Sequence, residues 1–118
     1  DYVGLIAANR PWKGPEGTLV LEQVEGKGLP SSWANNGLTV GFRVGGERFR
    51  PAGAKHSRSL KKLLQDAGVV PWMRSRIPLL FQDEEIVAVG DLWLGNQIGE
   101  YLEEPSWRVC WTDHPLFL

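Results

Sequence analysis

The sequence predicts a mainly β protein of the α+β class, a sandwich- or barrel-like core with one helix packed on it. Short aliphatic and β-branched runs recur between Gly, Pro, Asn and Asp clusters, giving about six or seven short strands. Only the segment from Leu60 to Ala67 spaces its apolar residues as a helix does. At 118 residues, 42% hydrophobic and 23% charged, the chain suits one globular domain spanning residues 1–118.

Residues 1–15 show little periodicity, with Pro11, Gly14 and Pro15 as breakers and Trp12 as the one large anchor, so a partly extended entry segment is expected. Thr18 to Val24 reads as a first strand, and residues 25–36, dense in Gly, Pro, Ser and Asn, read as a loop. Residues 38–44 alternate, with Leu38, Val40, Phe42 and Val44 on one face. Gly45-Gly46 then suggests a tight hairpin returning through residues 47–50. In that register Phe42 faces Phe49 across the hairpin, and Arg43, Arg48 and Arg50 share its outer face. The helix follows, capped by Ser57 or Ser59, with the stripe Leu60, Leu63, Leu64 and Ala67 and an end at Gly68. Pro71 to Arg76 is expected to turn, burying Trp72 and presenting Arg74 and Arg76. Leu79 to Gln82 and Glu85 to Val89 form a second hairpin around Asp83-Glu84, and residues 91–94 a short strand. After an acidic loop over 96–105, Ser106 to Thr112 alternates again, with Trp107, Val109 and Trp111 on one face. Leu116, Phe117 and Leu118 read as a docked apolar end or the scar of a truncation.

No apolar run nears the roughly 20 residues that cross a bilayer, and within the sequence no charged-then-apolar leader precedes an A-x-A-like site, so neither membrane nor secretion is implied. Cys110 is alone and forms no internal disulfide, which suits a reducing, cytoplasmic setting. The chain opens at Asp1 and its single methionine is Met73, so a piece of a longer protein is expected.

Charge is strongly polarised along the sequence. Within residues 43–80, Arg43, Arg48, Arg50, Lys55, Arg58, Lys61, Lys62, Arg74 and Arg76 stand against Glu47 and Asp66 alone, nine cations to two carboxylates. The rest carries four basic and twelve acidic residues, which the net charge of −1 conceals. Like charges opposed on a sheet repel, so the arginines need either counterions and an acidic neighbour such as residues 100–104, or an anionic ligand. Cations in the first helical turn oppose the helix dipole, and beside free backbone N–H groups they suit a phosphate.

Other chemistry finds little support. Gly45-Gly46 lacks the helix and lysine of a phosphate-binding loop. His56 and Ser57 lack a nucleophile elbow. Cys110, Asp113 and His114 lack a fourth ligand at metal-site spacing, and Asp83-Glu84-Glu85 reads as a solvated hairpin tip. No catalytic, cofactor-binding or metal-binding residue is assigned. The nine cations fit a nucleic acid backbone, structured RNA being gripped mainly by shape and phosphate contact.

The runs GERFRPAG and SLKKLLQDAGVVPWMRSRIPLLFQDEEIVAVG resemble the C-terminal domain of the tRNA(Ile)-lysidine synthetase family. The likeness covers roughly residues 38–94, a family-like core, and more loosely the Trp-rich strand and tail at 106–118. Val70 departs from the pattern, standing where a second proline is expected before Pro71-Trp72. The resemblance implies a β-sandwich-like domain, shared with the phenylalanyl-tRNA synthetase β subunit. It also implies a parent ligase that uses ATP with magnesium to join lysine to the wobble cytidine of an isoleucine tRNA with a CAU anticodon. The family's S-G-G-x-D-S catalytic loop is absent here, so this piece alone is expected to be inactive. Its expected partners are that tRNA, gripped on the acceptor-stem side, and the N-terminal catalytic domain. A homo-oligomer stays open, as does a second role for the basic face, docking on an acidic partner domain with little RNA contact.

Overall fold

The computed structural model describes residues 2–100 and 105–115. Eleven short strands are found there: β1 (Tyr2–Ile6), β2 (Trp12–Lys13), β3 (Thr18–Val24), β4 (Leu29–Pro30), β5 (Leu38–Gly41), β6 (Arg48–Phe49), β7 (Arg58–Ser59), β8 (Leu79–Gln82), β9 (Glu85–Val89), β10 (Trp93–Leu94) and β11 (Ser106–Thr112). Two α-helices, α1 (Ser31–Asn36) and α2 (Leu60–Asp66), and two 3-10 turns, Pro71–Met73 and Asn96–Glu100, complete the order. The mainly β class with one main helix is therefore what forms.

The strands make a five-stranded sheet, β1-β5-β8-β9-β10, a four-stranded sheet, β2-β3-β11-β4, and a two-stranded ribbon, β6-β7. Every pairing is antiparallel. In the four-stranded sheet β11 aligns residue for residue with β3, Ser106 opposite Val24 through Thr112 opposite Thr18. Val109 and Trp111 turn inward onto Leu21 and Leu19 of the facing strand, and Arg108 pairs with Glu22 on the wet face at 2.8 Å.

The entry segment is more deeply built in than its irregular sequence suggests. β1 pairs along β5, and Ile6 is fully buried. Trp12 lies over Gly4 and Gly14, where a Cβ on either glycine would collide with the indole. The run over 25–36 contains α1, missed because its Ser and Asn residues favour turns. α1 is held by burial of Trp33 and Ala34, and the Ala34 carbonyl accepts from Ala8 N at 2.8 Å.

The first predicted hairpin does not form. β5 has neighbours on both edges, β1 and β8, so no free edge remains for residues 47–50. The chain leaves the sheet after Gly41 in a loop held by the Glu47 carboxylate, which accepts from Val44 N at 2.6 Å and Gly45 N at 2.9 Å. β6 pairs instead with β7, Arg48 opposite Ser59 and Phe49 opposite Arg58. Phe42 and Phe49 consequently part company: Phe42 packs near Trp12, with ring centroids 6.0 Å apart, and Phe49 near Trp93, at 6.4 Å. Val44, expected inward, is exposed. The ribbon is fastened to the five-stranded sheet past its β6 end, where Asn96 N donates to the Arg50 carbonyl and Ala52 N to that of Leu94.

β7 runs straight into α2, whose Leu60, Leu63 and Leu64 are buried, whereas Ala67 is exposed. At its end Val69 N reaches back to the Leu64 carbonyl and Gly68 N to that of Gln65, the double closure that favours a left-handed glycine; Gly68 has φ +80°. The second hairpin, β8–β9, forms on its predicted residues. The apolar tail, 116–118, lies outside the described residues.

Candidate nucleic-acid interface

Six of the nine predicted cations belong to one supersecondary unit, the β6–β7 ribbon, its connecting loop and α2. Arg48 and Arg50 come from β6 and the residue just beyond it, Lys55 from the loop, Arg58 from β7, and Lys61 and Lys62 from the first turn of α2. All six are exposed. The local reason is geometric: α2 turns three leucines into the core, so the intervening lysines face water.

Their partners differ. Arg48 donates through Nη2 to the Ser57 carbonyl at 2.9 Å, and Arg50 through Nε to that of Ala54 at 2.8 Å, which anchors both guanidinium groups without neutralising them. Arg58 is paired with Asp66 at 2.5 Å, and Lys62 lies 3.9 Å from the same carboxylate. The hydrogen bond from Arg58, more than the nearby charges, holds the Asp66 carboxyl below its ordinary value. Lys55 and Lys61 make no ion pair or hydrogen bond to another described residue.

The other three cations are used differently. Arg74 is half-buried and donates through Nε to the Val69 carbonyl at 2.8 Å, bracing the turn after α2. Arg76 pairs with Glu16 at 3.1 Å, tying that turn to the connection between β2 and β3. Arg43 is half-buried in the loop after β5, its Nε enclosed without a hydrogen-bond partner. The expected sharing of one strand face by Arg43, Arg48 and Arg50 fails with the hairpin that required it.

The backbone cradle at the helix start is also partly consumed. Leu60 N donates to the Glu47 carbonyl at 2.9 Å and Lys62 N to Ser59 Oγ at 3.2 Å. Of the two candidate caps Ser59 therefore serves, and Ser57 receives Arg48 instead. With two of the first-turn donors taken, what an anion meets here is mainly side-chain charge.

Trp72 is the largest departure at this surface. The Pro71–Met73 turn buries Met73 and leaves Trp72 67% exposed, where Trp72 was expected to be buried. A 3-10 turn sends consecutive side chains about 120° apart, so one of the adjacent pair must face out. Met is the unbranched, adaptable side chain that fits the interior gap.

Acidic groups bound the basic unit. Arg48, Arg50 and Ser57 line a cleft of about 410 Å3 with Glu47, Glu84 and Glu85, over Phe49, Phe81 and Ile86. The residues at 101–104, expected as acidic neighbours, lie outside the described residues. Elsewhere, Cys110 is half-buried beside Glu22 and Arg108, and burial pushes its thiol pKa up. Among the described residues no three His, Cys, Asp or Glu side chains gather as metal ligands, and no helix is long and apolar enough to cross a membrane.

Comparison with known proteins points the same way as the cations. Residues 38–111 match the family model of the TilS substrate C-terminal domain. The chain is similar to the tRNA(Ile)-lysidine synthase of Coxiella burnetii, 35% identical over 99 residues, covering 84% of this chain and 22% of the relative. It is 36% identical over 115 residues to the synthase of Xylella fastidiosa, covering 97% and 26%. The synthase of Methylococcus capsulatus is 38% identical over 98 residues, covering 81% and 22%. The chain thus spans about a quarter of the length of these relatives.

Proposed function

Because the chain belongs to the TilS substrate C-terminal domain family, we propose that it is the accessory tRNA-binding module of a tRNA(Ile)-lysidine synthase. The parent activity in this reading is that of a cytoplasmic ligase which, with ATP and magnesium, attaches lysine to the wobble cytidine of an isoleucine tRNA with a CAU anticodon. The catalytic chemistry belongs to the remainder of such a protein, and residues 1–118 position the tRNA, on its acceptor-stem side. The observation that carries this is the cation-bearing ribbon and helix, where Arg48, Arg50, Lys55, Arg58, Lys61 and Lys62 face water on one unit. Arg74, Arg76 and Arg43 complete the proposed contact set with smaller shares, since two of them also hold the fold together.

Phosphate contact releases counterions, so affinity should fall with salt at a log–log slope of roughly −0.7 to −0.9 per phosphate neutralised. The test titrates the 118-residue chain with a CAU-anticodon isoleucine tRNA transcript and with a minihelix of its acceptor stem across a salt series. Comparable, salt-sensitive binding to both is expected. Lys61→Ala with Lys62→Ala should weaken binding and flatten the slope by one to two phosphate contacts, with the unfolding midpoint almost unmoved. An unchanged slope would remove α2 from the contact surface. Absence of binding at low salt would favour docking of the basic face on an acidic partner domain.

A further inference from the structure

Trp72 is 67% exposed, and its place in the fold is otherwise tightly specified. Pro71 opens the turn, Met73 N donates to the Val70 carbonyl at 3.0 Å, and Arg74 grips the Val69 carbonyl through its Nε at 2.8 Å. Val69 and Met73 on either side are buried. The indole is therefore shown to solvent from a stiff support. A tryptophan adds to stability by removing its ring from water, and the other five do so: Trp33 and Trp111 are buried, and Trp12, Trp93 and Trp107 half-buried.

We propose that Trp72 is a stacking platform for an unpaired nucleobase of the RNA held by the basic unit, an inference that rests on the tRNA-binding reading above. A flat aromatic face accepts a base of any identity, and a base brings with it the phosphates that the surrounding cations need. Arg74 and Arg76 follow Trp72 by two and four residues, and α2 with Lys61 and Lys62 precedes it. These charges disfavour a cationic ligand at the same ring. α2 spans seven residues, about 10 Å, or some three base steps of a duplex strand. Only residues 67–70 separate α2 from the Pro71–Met73 turn, so the helix cations and Trp72 stand on consecutive elements of the chain.

Stacking and phosphate contact differ in their response to salt, which allows a clean test. The wild-type chain, Trp72→Ala and Trp72→Phe are each titrated with an acceptor-stem minihelix that ends in single-stranded nucleotides and with the same duplex cut blunt. Trp72→Ala should weaken binding of the single-stranded probe by about 5- to 150-fold, the range of one lost base stack, with the salt slope unchanged. Trp72→Phe should recover most of the loss, and the blunt duplex should lose little. Unchanged affinity of Trp72→Ala, beside salt-sensitive wild-type binding, overturns the inference while leaving the tRNA-binding reading intact. A slope that flattens with the substitution, or an equal loss on the blunt duplex, also overturns it. Wild-type protein that binds neither probe overturns both readings together.

Discussion

Ser59 stands where a strand becomes a helix without an intervening loop, and its Oγ accepts from Lys62 N at 3.2 Å. Removing that acceptor strands a backbone donor of the first turn, so Ser59→Ala should cost about 1 kcal/mol, read as a lowered urea midpoint. Three carboxylates are held below their ordinary values in the fold. Glu22 is lowered chiefly by the hydrogen bond from Arg108, and Asp66 chiefly by that from Arg58. For Glu47, burial alone would raise the value, but the backbone N–H groups of Val44, Glu47 and Gly45 together with the charge of Arg43 outweigh it and the net shift is downward. All three are depressed in the folded state, so what they contribute is fully present above the ordinary carboxylate range near 4 and is lost as pH falls through the folded values. The urea midpoint should therefore hold from neutrality down to about that range and decline below it, and Glu47→Gln should make the decline shallower. A serine cap, Ser57 or Ser59, was legible from its place before an apolar helical stripe, and the fold decided for Ser59. The partners of the arginines were not, because each is supplied by a carbonyl or carboxylate that folding brings near.

The β8–β9 hairpin turns on Asp83 and Glu84, which adopt φ of +50° and +70°. Left-handed backbone strains residues with a Cβ, and a two-residue turn of this hand prefers Asn-Gly. Asp83→Asn with Glu84→Gly should raise stability by about 1 kcal/mol, measured as a higher urea midpoint; no gain would mean that the unfolded chain gains as much freedom from the glycine as the turn loses in strain. β3, β8, β9 and β11 were readable from residue patterns because each is long enough to show alternation or an unbroken apolar run. The supposed hairpin from residue 38 to 50 was misread for a reason local pattern cannot contain. Its first strand is interior to a sheet, and the flanking strands β1 and β8 come from residues 2–6 and 79–82. Trp72 was expected inside and is exposed, while its neighbour Met73 is buried, because both are apolar and only the shape of the interior under the turn separates them.

Across the whole molecule the basic unit and the acidic hairpin tip meet at one cleft, with Arg48 and Arg50 facing the segment of Glu84 and Glu85. On the proposed tRNA-binding reading, such a border repels phosphates that stray past the cationic surface and limits where RNA can sit. Glu84→Gln with Glu85→Gln should tighten binding of the tRNA transcript several-fold at low salt. The gain should vanish near 1 M salt, where the screening length is about 3 Å. A gain that persisted there would mean that the new amides hydrogen-bond the RNA directly, and would remove charge repulsion as the cause.

The residue order alone determined the mainly β class, four of the longer strands, the helix with its cap and glycine stop, the crowding of cations into residues 43–80, and a family resemblance carried by contiguous motifs. These are properties of neighbours in the chain, written in periodicity, backbone preference and local charge. Tertiary structure decided which strands pair, which cations are braced or paired and which stay free, and that Trp72 faces water. Each of those outcomes is a competition among segments far apart in sequence for a limited supply of sheet edges, polar partners and interior volume, and it is resolved only when all the competitors are in place.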